Sequence, residues 1–383
     1  MDKWIARLLL AGLTVLAAGP VVVENTRGVA LENRVVGADW NSLVKSVKGL
    51  SQENARVRDS GGNILLSQPV DNNGDGAIDE LLFLVPATGK ETPEYEVVAD
   101  ASLKVPETEV RAYARYVPER KDDFAWENDL TAFRAYGPAL KDGVENCGFD
   151  CFMKRVKYPI VDRWYAAEKK GISYHIDIGE GYDGYKVGAS LGCGGSAVWH
   201  EGRIYRSEVF TGWRQFANGP LRAVFELSYG PWPVAGKNIT EKKIISLELG
   251  QRLFKVEDSF FVDGKPARLD VVIGVTTHGN KAQAHGDAKQ GYLWAWEVID
   301  NYGLGVGVIV PPGFIKEYKL IESDKMDEGH AVFVASTSDE GKIVYWAGYG
   351  WEKAKEITTG EQWESYLRGF IEDLSSPPSV KIK

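Results

Sequence analysis

The sequence predicts a mainly β, mainly antiparallel chain organised as one large β-domain with few short helices, and three observations carry that prediction. Short alternating or β-branched runs recur along the chain, among them ENRVVGADW, LLFLVP, YEVVAD, EVRAYARYV, RAVFELSY, KIISLEL, LFKVEDSFFV, LDVVIGVTT, GVGVIVP, HAVFVAS and KIVYWAG. A period of two is the mark of strands with one buried face. The runs are broken by Gly, Asn, Asp and Pro in a chain with 42 Gly and 16 Pro, so each break reads as a turn. Only two stretches carry a helical pattern. No repeat period or low-complexity linker divides the chain, which favours one large domain over independent ones.

Residues 1–27 read as a signal peptide or leader. Lys3 and Arg7 precede an apolar run from Leu8 to Ala18, the charged start and short apolar core of a secretory signal. Export to a periplasmic or extracellular location is expected. A buried first strand is the competing reading, because Pro20 and Val21 to Val23 blur any cleavage site. No later segment reaches the roughly 18 uninterrupted apolar residues of a membrane helix, so no span is expected in the mature protein. Residues 28–100 read as an N-terminal β sub-domain, divided by the charged, turn-rich stretch Asp100 to Glu109 from the main region, 101–383.

Within that sub-domain, DNNGDGAIDE (71–80) sets Asp71, Asn73, Asp75 and Asp79 around a sharp turn at Gly76, the oxygen spacing of a calcium loop. An EF-hand is excluded, since Leu82 stands where its bidentate Glu would be and the flanks read as strands. A structural calcium site and a metal-free hairpin turn both fit, because Asn, Asp and Gly favour turns without any ion.

The block 117–140 concentrates Arg120, Trp126, Glu127, Asn128, Asp129, Arg134 and Tyr136. Guanidinium forks suit carboxylates and aromatic rings stack on sugar faces, so the composition fits a pocket for an acidic saccharide. A buried ion-pair network under a loop is the alternative. PIVDRWYAAEKKG then reads as a short helix stopped by glycine.

In the block 174–199, YHIDI reads as a strand that puts His175 and Asp177 on one face and Tyr174, Ile176 and Ile178 on the other. Glycines 179, 181 and 184 would let Glu180, Tyr182, Asp183 and Tyr185 approach a ligand. His175 is the best general-base candidate of the five histidines, because imidazole titrates near neutrality and its neighbours are polar. GCGG is too short for a phosphate loop, and no dinucleotide fingerprint accompanies it. GWRQFANGPLRAVFELSY reads as a turn feeding a strand, with Arg222, Val224 and Glu226 on one solvated or ion-paired face. TTGEQWESYLRGFIEDLSS predicts a helix over 360–374 that presents Trp363, Leu367, Phe370, Ile371 and Leu374 to a sheet.

Composition excludes several classes. With 45 basic against 54 acidic residues, a net charge of −9 and no Lys/Arg-rich run, the chain is not built to bind nucleic acid. At 44% hydrophobic residues it buries enough surface to fold. Its 12 Trp, 17 Tyr and 14 Phe suit a β-protein that handles sugars. Of three cysteines, Cys147 and Cys151 in CGFDC have a spacing that would allow a small disulfide loop after export, while Cys193 stands alone.

Taken in order, VPERKDDFAWENDLTAFRAYGP, YPIVDRWY, YHIDIGEGYDGYKVG with GCGGSAVW, and ANGPLRAVFELSY resemble the domain-of-unknown-function 4861 family, as does DNNGDGAIDELLF. The resemblance covers most of the mature chain. It implies a protein of polysaccharide utilisation, a characterised branch being an oligosaccharide dehydratase of ulvan breakdown. The implied reaction removes water across C4 and C5 of a non-reducing-end uronic acid, with no required cofactor. With the resemblance comes the expectation of a large antiparallel β-sandwich of the supersandwich type, similar to galactose mutarotases. The CGFDC loop is not usual for the family.

That chemistry needs a cationic clamp for the carboxylate, a base for the C5 proton and an acid for the leaving hydroxyl. The expected roles are Arg134 and Arg120 as clamp, His175 as base, Tyr185 or Tyr136 as acid and Trp126 as a stacking platform. Glu127, Asn128, Asp129, Asp177, Glu180 and Asp183 complete the substrate-binding set. Competing readings are a polysaccharide lyase using the same base and clamp, a non-catalytic glycan-binding protein, and a mutarotase or epimerase.

Overall fold

The computed structural model describes residues 18–25, 27, 33–86 and 92–383. A nine-stranded antiparallel sheet forms the middle layer, ordered Phe210–Asn218, Arg222–Val234, Lys237–Glu248, Leu253–Val262, Lys342–Trp351, Tyr302–Ile309, Tyr292–Ile299 and Gln283–Asp287, with Lys265–Pro266 pairing on Leu253–Val262. Its strands alternate as the sequence pattern requires: Phe225, Ile245, Val256 and Tyr345 face one side, while Val224, Leu253 and Ile309 face the other.

Two five-stranded sheets cover the first side. One holds Tyr113–Val117, Asp123–Glu127, Ala132–Ala135, Phe149–Lys154 and Gly181–Tyr182; the other holds Arg203–Tyr205, Cys193–His200, Asp270–Thr276, His330–Ser336 and Ile315–Ile321. Their inner residues, including Trp126, Phe133, Phe149, Ile273 and Phe333, share a single apolar core with the middle sheet. This is the expected large antiparallel β-sandwich, held by burial of interdigitated side chains between layers.

On the opposite side the helix Gly360–Ser375 seats Trp363 and Leu367 against Tyr292, Trp294 and Ile309. Thr359 caps it by accepting the Gln362 N–H at 3.2 Å. Leu374, expected on the docking face, is 39% exposed in the last turn. Beside the helix, the three-stranded sheet Arg34–Asp39, Glu80–Val85 and Ser67–Val70 packs Val35 and Leu82 on Leu221, Val224 and Leu249.

Part of the stretch read as a leader lies within the described residues. Ala18–Glu24 is a strand paired with both Glu94–Ala99 and Ser379–Ile382, and Val21 and Val23 are fully buried. The apolar VVV run thus reads as core, and a leader reaching residue 27 would remove a central strand of a four-stranded sheet. Residues 1–17 lie outside the described residues. The last strand of the chain also joins this N-terminal core, through Val380 and Ile382. Among the described residues no helix is long and apolar enough to cross a membrane.

The loop 71–79 turns its side chains onto its own backbone. Asp71 accepts the N–H groups of Asn73, Gly74 and Gly76, Asn73 that of Asp75, Asp75 that of Ala77, and Asp79 that of Asn72. Among the described residues no three His, Cys, Asp or Glu side chains converge as a metal site. Gly74, at φ +78°, lies against the Phe216 ring, where a Cβ would come within 2.4 Å. Arg222 reaches across to Asn72 at 2.9 Å and Glu80 at 2.7 Å. The loop is a fastening between the N-terminal sheets and the middle sheet. Cys147 and Cys151 are buried free thiols, without the bridge their spacing allows; they fall on different contacts, Cys147 bonding the Ser190 carbonyl at 3.1 Å.

Candidate active site

The first five-stranded sheet has an inner face of Phe124, Trp126, Phe133, Phe149, Cys151 and Met153, so strand alternation forces Asp123, Ala125, Glu127, Ala132, Arg134, Asp150, Phe152 and Lys154 outward. Register sets Arg134 opposite both Ala125 and Asp150. The helix Val161–Glu168 and the loop after it then roof this outer face, packing Trp164, Tyr165 and Tyr174 on Phe152. Charged residues on the solvent side of a sheet are thereby buried, and must find partners under the roof.

Arg134 is the hub. Its Nη2 donates to Asp150 and, at 3.3 Å, to Asp183; Nη1 donates to the Tyr174 hydroxyl at 3.4 Å and lies 3.7 Å from Asp123. The guanidinium also sits over the rings of Tyr136 and Phe152, at 5.2 and 5.0 Å. Three carboxylates exceed what one guanidinium can neutralise. Burial pushes Asp123 up to about 6, with Arg134 pulling the other way. Burial and then repulsion by Asp183 push Asp150 up to about 7, and burial pushes Asp183 up to about 6. Burial works against the Arg134 charge, but Asp150 and Asp183 outweigh it and hold its pKa well above the ordinary value.

Asp183 connects this buried cluster to the surface. The His175 Nδ1 lies 3.1 Å from the Asp183 carbonyl oxygen and 3.5 Å from its carboxylate. Two acceptors beside Nδ1 place the proton there, which leaves Nε2 as the bare lone pair on a half-exposed ring. Tyr174 stands beside it, ring centroids 4.5 Å apart, and its hydroxyl accepts from Arg120 Nε at 2.7 Å as well as from Arg134. The Nη groups of Arg120 have no hydrogen-bond partner among the described residues. Arg120, Tyr174 and His175 therefore lie together over the Arg134 cluster, with Tyr174 buried and the His175 ring half-exposed.

YHIDI is a turn rather than a strand, closed by Asp183 N–H to the Tyr174 carbonyl at 2.9 Å. Ile176 and Ile178, expected on an apolar face, are 64% and 59% exposed. The glycines, not the alternation, shape the segment: at Gly181, φ +124°, a Cβ would come 1.9 Å from the Met153 carbonyl oxygen. Asp177 consequently does not share a face with His175. It binds Lys353 at 2.6 Å and Arg155 at 3.2 Å.

Several other expected site residues are structural. Trp126 is fully buried among Phe133, Phe149, Phe225 and Phe254 and cannot stack on a sugar. Glu127 accepts the Ile160 and Val161 N–H groups at the helix start and pairs with Lys154 at 2.9 Å. Asn128 ties its turn to the Glu248 and Gln251 carbonyls, and Asp129 accepts the Gly250 N–H at 2.7 Å. Glu180 is held by Tyr158, Arg163 and Trp164. Tyr136 and Tyr185 are buried with hydroxyls that have no partner among the described residues, and burial raises both well above the ordinary phenol value. Tyr185 packs on His278, 4.9 Å between centroids, and makes no hydrogen bond to the Arg134 hub. Asp123, Asp150 and Tyr174 were missed as site residues. Only the pairing of Ala132–Ala135 with its neighbour strands could have revealed the two carboxylates.

The chain belongs to the DUF4861 family, described as a domain of unknown function, whose profile matches residues 23–380. It is 36% identical over 332 residues to "Uncharacterized protein P7" of Formosa agariphila, covering 84% of this chain and 82% of that protein. In solved structures it is similar to a protein in the glycosyl hydrolase family 38 from Enterococcus faecalis, with TM-score 0.51 and 12% identity over 96% of this chain. It is also similar to an alpha-mannosidase from Enterococcus faecalis V583, with TM-score 0.47 and 10% identity over 96% of this chain and 46% of that one. The chain spans about half the length of these structures, 47% of the first. The first likeness shows the mainly β fold alone.

Proposed function

We propose that this protein is a carbon–oxygen lyase of the hydro-lyase type, removing water across C4 and C5 from the non-reducing-end uronic acid of oligosaccharides derived from an acidic polysaccharide. The observation that carries the reading is the chain of contacts Arg134, Asp183, His175, which uses Nδ1 and leaves Nε2 of a half-exposed ring without a partner among the described residues, near the Arg120 guanidinium. In the reaction His175 Nε2 takes the C5 proton, and Asp183 steadies the imidazolium that forms. The electron pair left at C5 moves into the C4–C5 bond as the C4 hydroxyl departs with a proton from the Tyr174 phenol.

Arg120 rather than Arg134 holds the substrate carboxylate. The Nη groups of buried Arg134 are committed to Asp150, Asp183 and Tyr174, whereas the Nη groups of partly exposed Arg120 have no hydrogen-bond partner among the described residues. Arg134 acts from below, holding Asp183 and the Tyr174 hydroxyl in position. Base and acid on neighbouring residues suit loss of proton and hydroxyl from one side of the ring.

The test is incubation with saturated uronate-terminated oligosaccharides, reading ultraviolet absorbance and mass together. Dehydration gives the absorbance of a conjugated enoate and a loss of one water with chain length unchanged. Two shorter products would assign a polysaccharide lyase instead, and absence of both signals would leave glycan binding.

A further inference from the structure

We propose that the cleft between the C-terminal helix, the N-terminal three-stranded sheet and the back of the middle sheet is a second saccharide site, one that takes an uncharged stretch of sugar residues. The inference rests on the reading of this protein as one that handles oligosaccharides. The cavity has a volume of about 510 Å³, within the range of small-molecule sites. It lies on the face of the middle sheet opposite the sheet that carries Arg134, so a short chain at His175 does not reach it.

Its floor and wall offer what a neutral sugar binds. Trp346 is half-buried in the floor, opposite Lys255 in the sheet register, and meets Phe370 of the helix edge-on at 6.3 Å and 63° rather than stacked on it. The Ser246 hydroxyl and the Gln251 amide line the same cleft and carry no side-chain hydrogen bond among the described residues. An aromatic face for sugar C–H groups and unpaired hydroxyl and amide groups for sugar hydroxyls are thus adjacent.

Charge decides the class of sugar. Every cation lining the cleft is matched by a carboxylate: Arg34 by Asp373 at 2.9 Å, Arg222 by Glu80 and Glu248 at 2.7 Å each, and Lys255 by Glu257 at 2.7 Å. Arg34 pairs through Nη1 alone, but the lining carboxylates Glu80, Glu248, Glu257 and Asp373 outnumber the three lining cations. Asp373 is shared by Arg34 and Arg27, so a uronate or sulfate would have to displace a carboxylate from its cation to be held; a neutral residue would not. Occupation of both sites by one long chain, or by chain and polymer, would raise retention on substrate through effective concentration.

Tryptophan fluorescence and isothermal titration with cello-, xylo- and manno-hexaose, and with a polyuronate hexasaccharide, test this on the full chain and on His175→Ala, Trp346→Ala and Gln251→Ala. Wild type and His175→Ala should bind at least one neutral hexaose equally. Trp346→Ala and Gln251→Ala should weaken it, the former roughly tenfold or more, as expected for loss of an aromatic contact. The polyuronate should not compete. Failure of all neutral probes, or unchanged affinity in both cleft variants, overturns the proposal. Neutral binding lost in the cleft variants but without dehydration of any uronate substrate would keep this site and sink the proposed reaction; dehydration without neutral binding would do the reverse.

Discussion

His175 and Asp183 meet twice: the imidazole Nδ1 is 3.1 Å from the Asp183 carbonyl oxygen and 3.5 Å from its carboxylate. The same carboxylate lies 3.3 Å from Arg134, so the orientation of a half-exposed ring is fixed from a buried ion cluster. An orienting carboxylate behind a histidine sets which nitrogen is free, and here that nitrogen is Nε2.

Replacing His175 with Ala should lower turnover by roughly 10²–10⁴-fold, the usual span for a general base, without unfolding the protein. Its ring touches Tyr174 and Asp183 but belongs to no apolar core. Near wild-type rates in a folded His175→Ala variant would remove it from the mechanism.

Arg120→Gln and Arg134→Met should separate clamp from scaffold. Arg120→Gln should raise KM and lower kcat/KM with little change in unfolding midpoint. Arg134→Met leaves Asp123, Asp150 and Asp183 without their cation and should destabilise by about 3–5 kcal/mol at pH 8. The loss should shrink near pH 5, where raised carboxylates protonate. Denaturant melts at both pH values, with kinetics on the folded fraction, check the pair.

Asp123 gives a signed pH prediction. Its folded pKa of about 6 exceeds the ordinary aspartate value of 3.8, so its favourable contribution is complete below 3.8 and is lost as pH rises through 6. Asp123→Asn keeps an oxygen for the Gly137 N–H, which Asp123 accepts at 3.1 Å. The variant should gain stability relative to wild type between pH 4 and 7, by an amount on the order of 2–3 kcal/mol. A difference that stays flat across that range would contradict the raised pKa.

His330 works in the opposite direction. Its Nε2 accepts the Leu191 N–H at 3.2 Å and its Nδ1 donates to the Glu328 carbonyl at 2.9 Å, a neutral ring with both nitrogens used. Burial lowers its pKa from 6.5 to about 4. Stability from this residue is present above 6.5 and is lost as pH falls toward 4, because the unfolded chain takes up the proton first. His330→Gln should flatten the acid limb of the wild-type curve, measured by thermal melts from pH 4 to 7.

The sequence by itself determined the strand-rich class, the helix that buries Trp363 and Leu367, the short helix before Gly171, and His175 among polar neighbours in a glycine-shaped segment. These are local properties: a period of two or 3.6, a glycine stop, a residue type. Which charges are free was decided only by tertiary structure. Arg120 and Arg134 look alike in sequence, yet the Nη groups of one have no partner among the described residues and Nη2 of the other is taken by Asp150 and Asp183, because strand register places Asp150 opposite Arg134 and the following loop carries Asp183 over both. Trp126, two positions from Phe124 on the same strand face, went to the core by that alternation, while Val21 and Val23 became a central strand through partners at residues 94–98 and 379–382. Pairing across such separations sets burial, and burial sets which ionisable groups remain available to a substrate.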